Sequence, residues 1–137
     1  MALINLKVTT PYGVKLEEFV ESIHVNTSGG YVTILPNHYP LIATVVPCVC
    51  SIKDEEGETK YYFVSTGILK VNVENTQLIV SAFEFSEDID IERAKKAKER
   101  AEKRLASYDK NVDQERAEIA LKRALARIKA SEYKLNS

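Results

Sequence analysis

The chain has 137 residues, 45% of them hydrophobic, and a formal net charge of −1, which fits one domain or a small domain with an appendage. A net charge near zero argues against nonspecific nucleic-acid binding by the whole chain, and no apolar run approaches the ~20 residues that a membrane-spanning helix needs. Residues 1–88 carry a formal charge of −6, whereas residues 89–137 carry +5 and all six arginines. This asymmetry predicts two modules, residues 1–86 and residues 87–137.

The first module reads as a series of short β-strands. It holds all five glycines and all four prolines of the chain, and these residues separate segments that are β-branched or alternate between apolar and polar positions. The predicted strands are residues 3–9, 19–25, 31–35, 41–52, 61–64, 69–73 and 77–80. Strands of this length and spacing are typical of a small all-β sandwich or barrel.

No group in the first module indicates catalysis or metal binding. We expect Cys48 and Cys50 on opposite faces of a strand, where a mutual disulfide is disfavoured and both act as small buried apolar residues. Two thiols and two histidines make a weak metal site. We expect His24 on the solvent face of a strand and His38 in a proline-flanked loop, and neither has the partner that a catalytic base requires.

The loop around His38 is flanked by large apolar side chains. Leu35, Tyr39, Leu41 and Ile42 either form an exposed apolar patch, which would mark a protein interface, or fold under the edge of the sandwich. The sequence leaves both interpretations open.

The second module reads as two helices, residues 89–107 and 112–134. Asp88 is the predicted N-cap of the first, and residues 111–114 resemble a capping box for the second. Small or apolar residues recur every three or four positions and predict one buried face on each helix. These positions are Ala94, Ala97, Ala101, Leu105 and Tyr108, and then Ala117, Leu121, Ala124 and Ile128. The short link between the helices predicts an antiparallel α-helical hairpin.

The predicted contact face of the hairpin consists mostly of alanine. A buried methyl group contributes only about 0.8 kcal/mol, so we expect the hairpin to be marginal alone and its docking on the sandwich to be adjustable. A weakly held element of this kind is what a conformational switch requires. A permanently docked hairpin is the alternative.

Arginines recur on one side of each predicted helix: Arg93 and Arg100 on the first, and Arg116, Arg123 and Arg127 on the second. In an antiparallel pair they can converge on a polyanion, because guanidinium groups match phosphate oxygens. A solvated charged face is the alternative. No phosphate-binding glycine loop with its lysine is present, so a nucleotide would be held for sensing and not for hydrolysis.

Three segments carry a resemblance to a known family. They are residues 30–41, with Leu-Pro-x-His-x-Pro-Leu, residues 65–71, with Ser-Thr-Gly-Ile-Leu-Lys-Val, and residues 89–94, with Ile-Asp-x-x-Arg-Ala. In this order and separation the chain resembles the ε subunit family of the bacterial F-type ATP synthase, essentially from end to end. That family has an N-terminal β-sandwich and a C-terminal two-helix hairpin.

The resemblance implies a non-catalytic subunit of the central stalk, peripheral on the cytoplasmic face of the cell membrane. The sandwich would bind the γ subunit and the c-ring, and it would couple ion flow to ATP synthesis. The hairpin would inhibit ATP hydrolysis when it extends towards the catalytic α/β head. Membrane contact would arise only through the complex. The start of the chain has neither a charged leader nor a cleavage site, and we expect a cytoplasmic location on that ground also.

The resemblance also implies a regulatory ATP site and a c-ring contact. The family residues for ATP fall on Glu84, Ile89, Asp90, Arg93, Ala94, Arg100, Arg123 and Arg127, with no catalytic cofactor and no metal. The stalk and c-ring contact falls on Tyr31, His38 and Tyr39. Thr33 and Asn37 replace two glycines that are usual in the family loop, and Tyr31 replaces a residue that is often acidic, which favours an apolar or hydrogen-bonded contact there.

Three other functional classes compete with this interpretation. A purely structural coupling subunit would have the same fold without nucleotide binding. A nucleic-acid adaptor would use the basic hairpin, but nine acidic residues are interleaved with its basic ones. An independent enzyme would need a nucleophile paired with a base, or a metal set, and the sequence offers neither.

Overall fold

The computed structural model describes residues 2–107 and 111–133. Nine strands are followed by a 3-10 turn and two helices, which confirms the predicted β-sandwich and helical hairpin. The elements are β1 Ile4–Thr10, β2 Gly13–Thr27, β3 Gly30–Ile34, β4 Leu41–Val45, β5 Cys48–Asp54, β6 Thr59–Val64, β7 Gly67–Val71, β8 Thr76–Val80, β9 Phe83–Phe85, the 3-10 turn Ser86–Asp88, α1 Ile91–Ala106 and α2 Gln114–Ser131.

The long strand β2 belongs to two layers of the sandwich. Its first half pairs with β1, which continues through β8 and β7 to β4. Its second half pairs with β3 on one side and with β5 on the other, and β5 continues through β6 to β9. Because alternate side chains of each strand point inwards, the two layers enclose one aliphatic core, in which Leu6, Ile23, Leu69 and Leu78 are fully buried.

The cysteines share one face of β5, which corrects the expectation of opposite faces. Cys48 and Cys50 both belong to the sandwich core, whereas Val49 between them packs towards the helices. Residues two apart in a strand point the same way, since the side-chain period is two. Both thiols are free and buried, as expected, and burial raises the pKa of each.

The main differences from the predicted strands concern β2, the segment 41–52 and β9. The segment 41–52 is divided into β4 and β5 around Pro47, which has no backbone N–H for a strand ladder. Strand β2 begins at Gly13, because its first half gains its regularity from pairing with β1. Strand β9 has three residues and was not predicted; it exists through its pairing with β6.

Both helix N-caps lie two residues later than predicted. The Asp90 carboxylate accepts from the Arg93 amide at 3.1 Å, and Asp88 lies in the preceding 3-10 turn. Asp113 caps α2 by accepting from the Arg116 amide at 3.0 Å, so residues 111–114 do not form the predicted capping box. The Nε2 group of Gln114 instead donates to two carbonyl groups at the end of α1, those of Arg104 and Ser107.

The hairpin docks on the sandwich through α2, which packs on β5 and β6, while α1 packs on α2. The predicted alanine face is confirmed at its buried positions Ala94, Ala101, Ala117 and Ala124; Tyr108 lies outside the described residues. A small cluster joins hairpin and sandwich. Its buried members are Val49, Phe63, Ile89, Ala126 and Ala130.

Candidate functional site

A cavity of about 380 Å³ opens where the start of α1, the second half of α2 and strand β9 meet. This volume lies in the range of about 300–1,000 Å³ that is usual for small-molecule sites. Six of the eight residues predicted to bind nucleotide line it. The lining residues are Glu84, Asp88, Ile89, Asp90, Arg93, Ala94, Ala97 and Arg127.

Local structure explains how these side chains come together. In β9, Phe83 and Phe85 pack against the sandwich core, so the alternation of the strand directs Glu84 to the opposite side, where α2 lies. The 3-10 turn then leads to the Asp90 cap, from which α1 begins with Arg93 exposed at the cavity.

Arg127 is held by contacts with both Glu84 and Phe63. Its guanidinium donates to both carboxylate oxygens of Glu84, from Nη2 to Oε2 at 2.9 Å and from Nε to Oε1 at 3.2 Å. The same group lies 4.4 Å over the centroid of the buried Phe63 ring. Two hydrogen bonds and a stacked ring fix the position of this guanidinium.

The other two predicted residues do not line the cavity. Arg123 lies one helical turn before Arg127, and its Nε donates to the Ser65 hydroxyl at 2.8 Å. Arg100 lies two turns after Arg93 on the exposed side of α1. Sequence reasoning assigned no function to Ser65 or Phe63, although residues 65–71 carry part of the family resemblance.

The lining of the cavity combines two guanidinium groups, three carboxylates and an apolar wall. Arg93 and Arg127 supply cationic donors, while Ile89, Ala94 and Ala97 supply apolar wall. The carboxylates in the lining can accept hydrogen bonds from a ligand that also carries an amino group. Among the described residues that line it, none is a Ser, Cys, Lys or His.

The predicted c-ring contact residues divide between two places. The Nδ1–H of His38 donates to the Tyr39 carbonyl at 2.6 Å, and the two rings stack at 4.5 Å in the loop between β3 and β4. Asn37 adopts φ 66° there, the left-handed conformation that asparagine tolerates better than most residues. Asn37 therefore adopts a backbone conformation that is more usual for glycine.

The apolar residues of this loop are largely exposed. Leu35, Tyr39 and Ile42 are 55%, 72% and 72% exposed, while Leu41 packs against the sandwich core. The patch interpretation therefore holds for three of the four residues. Tyr31 lies at the other end of β3, where its ring stacks on His24 at 4.9 Å.

The outer face of the first layer carries a second exposed apolar feature, a row of β-branched side chains. Strand register aligns Val14 with Thr9, Thr9 with Ile79, Ile79 with Ile68, and Ile68 with Thr44. The three aliphatic members are exposed. This outer row crosses five adjacent strand segments and presents three exposed aliphatic side chains with a threonine between Val14 and Ile79.

Comparisons with known proteins cover nearly the whole chain. Residues 3–86 match the family described as ATP synthase, Delta/Epsilon chain, beta-sandwich domain, and residues 87–132 match its long alpha-helix domain. The ATP synthase epsilon chain of Clostridium novyi is 44% identical over 124 residues, which are 90% of this chain and 94% of that one. The Staphylococcus aureus epsilon chain is 37% identical over 98% of this chain and 100% of its own length.

A solved structure agrees with these relatives. A chain in the cryo-EM structure of the Euglena gracilis mitochondrial ATP synthase, OSCP/F1/c-ring, is similar with a TM-score of 0.85 and 27% identity, over 97% of this chain and 83% of that one. Neither helix in the described ranges has the length and apolar character that crossing a bilayer requires. With both family domains matched in order and with epsilon chains as its relatives, the chain belongs to the ATP synthase epsilon subunit family.

Proposed function

We propose that ATP binds the cavity between α1, α2 and β9 and thereby stabilises the docked hairpin, and that the released hairpin inhibits ATP hydrolysis by the synthase. One observation carries this proposal. The cavity takes its walls from both helices and from the sandwich, so a ligand that fills it binds only the docked arrangement.

The lining favours a nucleotide over a simple anion. The two guanidinium groups of Arg93 and Arg127 match phosphate oxygens, and the apolar wall of Ile89, Ala94 and Ala97 suits a base or ribose. Glu84 and Asp90 offer acceptors for the amino group of adenine. Arg100 and Arg123 continue the arginine-bearing sides of α1 and α2, and we propose that they approach the ligand once it is bound.

The strength of this regulation is set by differential binding. ATP shifts the hairpin only by the ratio of its affinities for the docked and released arrangements. Because Glu84 lies on the sandwich whereas Arg93 and Arg127 lie on the two helices, release of the hairpin takes Glu84 away from both arginines, and that ratio is expected to be large. A site of modest affinity would report the ATP level, whereas a very tight site would be saturated at all times.

The sandwich supplies the proposed stalk contacts. We propose that the outer row binds the γ subunit and that the loop with His38 and Tyr39, together with Tyr31, contacts the c-ring. The exposure of Tyr39 and of the aliphatic members of the outer row supports this assignment. The subunit would then act without catalysis, held at the cytoplasmic face of the membrane only through the complex.

A purely structural coupling subunit is the second candidate, and one observation favours it. The Arg127 guanidinium is paired with Glu84, and the Nε of Arg123 is hydrogen-bonded to Ser65. These two contacts hold the hairpin on the sandwich without any nucleotide.

Calorimetric titration of the full chain with ATP, with and without magnesium, separates the two candidates. Arg93→Ala removes an exposed cation of the cavity, and Arg116→Ala removes an exposed arginine that does not line it. If ATP binds in the cavity, we expect saturable ATP binding that weakens about tenfold or more in Arg93→Ala. ATP binding should be unchanged in Arg116→Ala. If millimolar ATP gives no heat of binding, the nucleotide sensor is excluded and the purely structural coupling subunit remains.

A further inference from the structure

Besides the cavity, a groove of about 210 Å³ lies along another side of α2. Helix α2 forms one wall of it, and strand β3, strand β5 and the turn before β5 form the other. The residues that line the groove are Tyr31, Pro47, Cys48, Val49, Lys122, Leu125, Ala126 and Lys129. Lys122, Leu125, Ala126 and Lys129 lie on a different side of α2 from Arg123 and Arg127.

The floor of the groove is apolar and its ends are basic. Leu125 and Tyr31 are 44% and 49% exposed beside it, so the groove presents apolar surface to the solvent. Lys122 and Lys129 are seven residues apart, about 10.5 Å along the helix axis. In the part of the chain that the structure describes, no carboxylate lines this groove.

The lysines and the apolar strip together favour a ligand that has both a negative charge and an alkyl chain. An ammonium group attracts a carboxylate, and the apolar strip between the two lysines favours an alkyl chain at about 25 cal/mol per Å² of apolar surface buried. Neither a simple anion nor a neutral hydrocarbon uses both features. The strip between the lysines follows the helix axis for about 10.5 Å, a shape that an extended alkyl chain matches.

We propose that the groove binds a single-chain carboxylate amphiphile, with the alkyl chain along Leu125 and Pro47 and the carboxylate on Lys122 or Lys129. Because one wall belongs to α2 and the other to the sandwich, the groove exists only while the hairpin is docked. An occupant therefore stabilises the docked hairpin from a site separate from the ATP cavity. This inference does not depend on ATP binding.

Titration of the full chain with decanoate, below its micelle concentration, tests the proposal. Decanol and decyltrimethylammonium have the same chain with a neutral and a cationic head group. NMR of the Leu125 and Val49 methyl groups reports occupancy at the groove itself. We expect saturable shifts of these methyl groups with decanoate and at least fivefold weaker binding of the other two ligands.

Two double variants distinguish binding of decanoate at the groove from a general attraction of its carboxylate to the lysines of the hairpin. Lys122→Gln with Lys129→Gln removes both rim charges and should weaken decanoate binding about fivefold. Lys96→Gln with Lys103→Gln removes two exposed lysines with the same spacing on α1. This second double variant should bind decanoate as tightly as the wild type. Equal binding of decanol, equal loss in both variants, or no saturation would overturn the proposal. ATP titration of the same variants reports the cavity separately, so failure of one site is distinguishable from failure of the other.

Discussion

Arg123 and Ser65 are 58 positions apart in the sequence and are joined by one hydrogen bond of 2.8 Å from the Arg123 Nε to the Ser65 hydroxyl. Ser65 is only 1% exposed, so this bond fixes a charged group of the hairpin against a buried site of the sandwich. One turn later, Arg127 binds Glu84. Helix α2 therefore has two polar attachments to the sandwich beside its alanine contacts.

Ser65→Ala should release the hairpin more readily. A hydrogen bond to a charged group contributes about 1.5–3 kcal/mol, and partial exposure of the arginine reduces this, so we expect a loss of about 1–2 kcal/mol in docking. Amide hydrogen exchange in α2 measures it. In a double-mutant cycle with Arg123→Ala, the two losses should not add, because both remove the same bond. Fully additive losses would contradict this direct coupling.

Asp90→Ala and Asp113→Ala should each destabilise one helix by about 1 kcal/mol, because each removes an N-cap. Asp88→Ala serves as the matched control, since Asp88 lies in the 3-10 turn and caps neither helix. Urea unfolding followed by circular dichroism measures the three changes. An effect of Asp88→Ala equal to that of Asp90→Ala would mean that the cap is misassigned.

Ala130→Leu should weaken docking by about 1–3 kcal/mol through overpacking. Ala130 is fully buried in the cluster with Val49 and Phe63, where a larger side chain has no space. Ala106→Leu on the exposed end of α1 gives the same change in composition outside the contact. The ring signals of Tyr61, which stacks on Tyr133 at 4.0 Å, should shift in the first variant only.

The phenol of Tyr62 should make stability fall at high pH. Burial, and then the nearby Glu18, Cys50 and Asp54, raise the pKa of Tyr62 from 10.0 to about 12. The unfolded chain therefore loses this proton first, so the contribution is complete below pH 10 and disappears as the pH rises through about 12. It amounts to roughly 1–3 kcal/mol.

Urea unfolding of the wild type and of Tyr62→Phe between pH 8 and pH 11 measures this contribution. The phenylalanine variant lacks the phenol, so the difference in unfolding free energy between the two chains should change with pH above 10. Parallel pH profiles would exclude the contribution of Tyr62.

The two-module architecture could be predicted because composition and periodicity change together near residue 86. The alanine spacing identified one buried face on each helix, since residues three and four apart share a helix face, but it did not include Ala126 and Ala130, which pack against the sandwich. Six of the residues assigned to nucleotide binding by resemblance also line one cavity. That assignment relied on the motif at residues 89–94 more than on the arginine spacing.

Other features depend on tertiary pairing that no local pattern encodes. Strand β9 is three residues long and regular only beside β6. Asp88 and Asp90 are equally good caps by composition, and the choice depends on the 3-10 turn that ends the sandwich. The roles of Ser65 and Phe63 towards α2 depend on helix docking, so the sequence around them gives no sign of either.

The inner helix of the hairpin is the one that comes second in the chain. Because α1 packs on α2 and α2 packs on β5 and β6, α1 has little to rest on until α2 has been synthesised. During translation the sandwich would fold first, and the surface around Val49 and Phe63 would remain uncovered until α2 leaves the ribosome. The hairpin release that we propose would uncover the same surface again, so the nascent chain and the released form would share one exposed face.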